Sequence, residues 1–80
     1  MFIPVFTSSQ QAIDFGKTMK PETVEVLKRL RKETETWTRI YMSTNQLDEG
    51  IIMAARAQFY REAIESFEGK INLPEILESN

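Results

Sequence analysis

The run AIDFGKT, Ala12 to Thr18, ends in the Gly-Lys-Thr that closes a phosphate-binding loop. Such a loop reads G-x-x-x-x-G-K-[ST], and its backbone amides wrap the phosphates. Counting back from Gly16 puts Gln11 where the first glycine belongs. A Cβ at that position blocks the close backbone approach that glycine allows. The loop also needs a preceding strand, a long following helix and a later acidic strand to hold magnesium. After residue 20 nothing here reads as a strand. The expectation is therefore the end of a short amphipathic helix, with no nucleotide bound and no cofactor.

The remaining inventory for chemistry is short. The chain has no histidine and no cysteine, which removes catalytic triads, a histidine general base and the usual zinc sites together. Glu62, Glu65 and Glu68 form an i,i+3 row, but the di-metal pattern of helix bundles also needs a Glu-x-x-His. A solvated acidic face is the expected role. Asp48-Glu49-Gly50 lacks calcium-loop spacing and reads as a helix start, where the dipole favours acids. Thr7, Ser8 and Ser9 carry hydroxyls with no base nearby in sequence, and helix capping accounts for them. No catalytic, cofactor-binding or metal-binding residue is expected.

Two charged features bear on binding. LKRLRK, Leu27 to Lys32, is the one basic cluster. At 100° per residue Lys28 and Lys32 share a side, Arg29 and Arg31 flank opposite edges, and acids neighbour all four. A nucleic-acid stripe belongs to a basic domain, whereas this chain carries a net charge of −2. A solvated face is expected, and nucleic acid is not an expected partner. Arg56 is the second feature, because the spacing puts it near the centre of an apolar arc with Ile52, Phe59, Tyr60 and Ala63. A charge there needs a partner: Trp37 or Tyr41 through a cation–π contact, or a carboxylate of a second subunit, unless Arg56 snorkels from the edge.

The elements that must position these residues follow from periodicity and caps. Phe2 to Phe6 has strand composition, but Pro4 removes a ladder donor and confines it to an edge strand or an extended arm. Ser8 with Gln11 fits a capping box for a short helix that buries Ala12, Phe15, Gly16 and Met19. Pro21 stops that helix and opens the next, which runs from Glu22 to about Thr44. Within it Val26, Leu27, Leu30, Trp37, Ile40 and Tyr41 gather in an arc of roughly 140°, a broad apolar stripe. A turn over STNQLDEG leads to a third helix, about Asp48 to Phe67, expected to bury Ile52, Met53, Phe59, Tyr60, Ala63, Ile64 and Phe67. Gly69 ends it in a left-handed conformation. Asn72 and Pro74 can begin a final helical tail with Ile71, Leu73, Ile76 and Leu77. The expected class is all-α: an antiparallel helical hairpin with a short N-terminal helix, an extended arm and a short C-terminal helical tail.

Eighty residues make a single small helical domain, 1–80. With 41% hydrophobic and 28% charged residues the chain is globular rather than disordered. No apolar run reaches the roughly 20 residues of a membrane span. The opening MFIPVFTSSQ has no basic region and is expected not to be a signal peptide. With no cysteine in so small a chain, the expected location is cytoplasmic. The functional expectation is a non-catalytic protein–protein interaction module that self-associates as a dimer or else binds another protein, through Leu30, Trp37, Tyr41, Arg56, Phe59 and Tyr60. The alternative is a nucleic-acid-associated regulator using Lys28 to Lys32.

Overall fold

The computed structural model describes residues 5–69. Among them are three helices and no strand: α1 (Ser9–Thr18), α2 (Pro21–Ser43) and α3 (Leu47–Phe67). The all-α expectation holds. Residues 2–4 of the expected arm and the whole expected tail lie outside the described residues.

Local chemistry sets the helix ends. Ser8 is extended, and its hydroxyl accepts the Gln11 amide at 3.3 Å. Gln11 closes the return half of the box one residue early, accepting the Thr7 amide and the Thr7 hydroxyl, each at 2.9 Å. Met19 and Lys20 are extended before Pro21, because the proline ring crowds the α conformation of the residue it follows. Pro21 then opens α2, where its missing N–H is no loss. Between α2 and α3, Asn45 takes φ 65°, a left-handed position that asparagine tolerates better than most side chains. Asp48 and Glu49 occupy the first turn of α3, where the helix dipole favours them. Gly69 follows α3 at φ 73°.

The middle of α2 is built from weak helix formers. Thr34, Thr36 and Thr38 each donate a hydroxyl hydrogen bond to the carbonyl four residues back, on Leu30, Lys32 and Thr34. This satisfies the hydroxyls inside the helix, and it lets Thr34 be buried.

α3 is the element against which both α1 and α2 pack. The core joins Ala12 of α1, Val24 and Leu27 of α2, and Tyr60, Ala63 and Ile64 of α3. Phe6, Phe15, Met19, Leu30 and Phe59 pack around it, half-buried. Phe6 brings its ring to 5.4 Å from Phe15 and edge-on to Tyr60 at 6.2 Å. Polar contacts fasten the same end: Ser66 donates to the Ile13 carbonyl at 2.7 Å, Ser9 donates to Glu62 at 2.9 Å, and Lys28 lies 3.7 Å from Glu68.

Towards the turn the interior thins. Only Thr34, Gly50 and Ala57 are buried in that half among the described residues, and Met42 lies across Gly50. Ile52 and Phe67 depart from expectation by being exposed. Both lie off the Gly50–Ala57–Ile64 line that is buried along α3. The contacts from α1 fall at Glu62, Ala63 and Ser66, well short of Ile52.

Candidate protein-interaction face

The six residues expected to mediate interaction separate into two groups. Tyr60 is buried, and Leu30 and Phe59 are half-buried against the core. Their contacts are largely used within the chain. Trp37, Tyr41 and Arg56 lie nearer the turn and are open to solvent to different degrees.

Trp37 and Tyr41 are one helical turn apart on α2. Their rings lie against each other, with centroids 5.7 Å apart and planes inclined by 31°. Trp37 is nevertheless 50% exposed, while Leu27 and Thr34 of the same helix are buried. Ile40 too is exposed, at 42%. On α3, Ile52 is 50% exposed. Helical spacing and the packing of α2 on α3 turn Trp37, Tyr41 and Ile52 to the same side of the pair. The stripe expectation missed Ile52 as a surface residue and did not single out Leu47 or Ile51, both exposed. Their closeness to the turn was the available signal, since side chains at the end of a two-helix pair have fewer neighbours to cover them.

Arg56 requires a correction. It is exposed, not buried at the centre of an apolar arc. The arc is wider than the surface α2 covers, so Ala57 and Tyr60 turn inward while Arg56, 100° away from Ala57, stays outside. The Trp37 and Tyr41 rings meet each other instead of a guanidinium. Arg56 influences Tyr60: burial holds the phenol above its ordinary value, and the nearby Arg56 charge opposes that rise.

The other candidates have local roles. Gly16 sits in the last turns of α1, where a Cβ would come 2.3 Å from the Ala63 carbonyl oxygen and 2.8 Å from the Ser66 Cβ. Glycine is therefore required here for the approach of two helices. Lys17 belongs to the last turn of α1, and Thr18 donates to the Phe15 carbonyl at 3.2 Å. In the basic segment, Lys28 has Glu25 at 3.8 Å and Glu68 at 3.7 Å. Arg31 is half-buried, and its Nε is buried without a hydrogen-bond partner among the described residues. Of the acidic row, Glu62 accepts from Ser9 and Glu68 meets Lys28. Among the described residues no three acidic side chains converge as a metal set. No helix among them is long and apolar enough to cross a membrane.

Comparison with protein-family models, with curated proteins and with solved structures finds no match to this chain.

Proposed function

We propose that this chain is a non-catalytic helical interaction module of the cytoplasm, in which α2 and α3 act as an antiparallel helical hairpin and self-associate through the face near their turn. One observation carries the reading. A tryptophan whose ring lies against a tyrosine is half exposed, and Ile40 and Ile52, turned to the same side by helical spacing, are exposed as well. Large contiguous apolar surface on a small protein marks a site of association, and aromatic residues are enriched in such sites. Tyr60 lies in the core, and Leu30 and Phe59 are half-buried against it, so in this reading Trp37 and Tyr41 carry more of the contact.

The nucleic-acid reading draws less support. Lys28 already faces two carboxylates and Arg31 is half-buried, which leaves few cations in this segment to neutralise phosphates.

Sizing with light scattering tests the proposal. At tens of micromolar the expected mass is near twice 9.3 kDa, and the melting temperature should rise with protein concentration. A monomer at every concentration overturns it.

A further inference from the structure

The open face carries a charge pattern that is complementary to itself. Glu49, Ile52 and Arg56 follow one another along a single stripe of α3, three and four residues apart, and all three are exposed. Glu49 and Arg56 lie roughly a right angle away from the buried Gly50–Ala57–Ile64 line, and Ile52 lies further round, about 140° from it. The stripe is therefore not turned into α2.

Neither charge is paired among the described residues. The residues three and four positions from Arg56 on its own helix are Ile52, Met53, Phe59 and Tyr60, so no in-helix acid can reach it. Glu49 and Arg56 are seven residues apart, about 10.5 Å along the axis, too far for an ion pair. Among the described residues neither has an ion-pair or hydrogen-bond partner.

Resting on the self-association reading, we infer that the occupant of this face is a second copy of the chain, with the two α3 helices antiparallel and Ile52 packed on Ile52 at the two-fold axis. The arithmetic of the helix supports this register. Arg56 lies about 6 Å from Ile52 in one direction and Glu49 about 4.5 Å in the other. Reversing one copy brings Arg56 of each to within about 1.5 Å, along the axis, of Glu49 of the other. The two-fold generates this pair twice, as an isologous interface requires. A parallel arrangement would set Glu49 on Glu49 and Arg56 on Arg56, which like-charge repulsion disfavours. Trp37, Ile40 and Tyr41 flank the seam, while α1, in contact with α3 at Glu62, Ala63 and Ser66, bounds it at the other end.

Reciprocal charge reversal on the full chain is the test, read by analytical ultracentrifugation at low salt, with helical content checked by circular dichroism. Glu49→Lys alone and Arg56→Glu alone should each weaken the dimer at least tenfold, because each homodimer then opposes like charges twice. Mixing the two variants should restore association to near the wild-type level, since each copy supplies what the other lacks. A merely structural role for either residue predicts no such rescue. Single variants with unchanged association, or mixtures no better than the single variants, overturn this register while a wild-type dimer leaves self-association standing. A wild-type monomer overturns both. If deleting residues 70–80 from that monomer then shifts the Trp37 emission to the red, the occupant is the chain's own end.

Discussion

Gly16 of α1 approaches α3 so closely that a Cβ on it would stand 2.3 Å from the Ala63 carbonyl oxygen. Backbone cannot move aside as a side-chain tip can, so this contact sets the distance between the two helices. Gly16→Ala should destabilise the protein by about 1–3 kcal/mol, the usual range for overpacking, despite alanine's better helix propensity. Gly50→Ala is the contrasting case: its Cβ would meet only the flexible end of Met42, at 3.0 Å. There the propensity gain of up to about 1 kcal/mol should survive in part. Thermal melts of both variants check the pair, and a Gly16→Ala protein as stable as the parent would refute the close-approach argument.

Trp37 offers half its surface to solvent and stacks its ring on Tyr41. Trp37→Ala should therefore weaken association more than it weakens the fold. Full core truncation of an aromatic costs about 3–5 kcal/mol, and the loss here should be well below that. Urea melts at low protein concentration isolate the fold, and sedimentation measures association. A loss confined to folding would place Trp37 among the core residues instead.

Tyr60 titrates above its ordinary value because burial disfavours the phenolate. In the unfolded chain the phenol ionises near pH 10, before the folded one does. Its contribution is thus intact below that pH and is lost as pH rises towards the folded value. The melting temperature should fall more steeply above pH 10 in the parent than in Tyr60→Phe. Parallel curves for the two proteins would remove Tyr60 as the cause.

Arg31 buries its Nε without a hydrogen-bond partner among the described residues. An unsatisfied buried donor costs about 1–3 kcal/mol. Arg31→Met, of similar length and good helix propensity, should raise the melting temperature or leave it unchanged, and the same change at exposed Lys32 should do nothing comparable. A clear drop with Arg31→Met would show that the guanidinium is satisfied by water or stacking.

The helix boundaries were legible in the sequence because each depends on a few adjacent residues. Ser8 caps because its hydroxyl reaches an amide three residues on, Pro21 begins α2 because of its own ring, and Gly69 takes the positive φ that most side chains resist. The end of α1 at Thr18 was readable for the same reason, since Gly16-Lys17-Thr18 lacked the surroundings of a phosphate loop. Coverage was not readable. Val26, Leu27, Leu30, Trp37 and Tyr41 share one stripe by periodicity, yet Leu27 is fully buried and Trp37 half exposed. Likewise Ile52 and Ile64 are similar residues on one helix, one exposed and one buried. What separates them is where α1 and α2 meet α3, which depends on contacts between residues as distant as Ser9 and Glu62. An apolar period shows which side of a helix can be buried; only the meeting of two surfaces removes it from water, and Trp37, Ile52 and Arg56 stay exposed where Leu27, Ala57 and Ile64 do not.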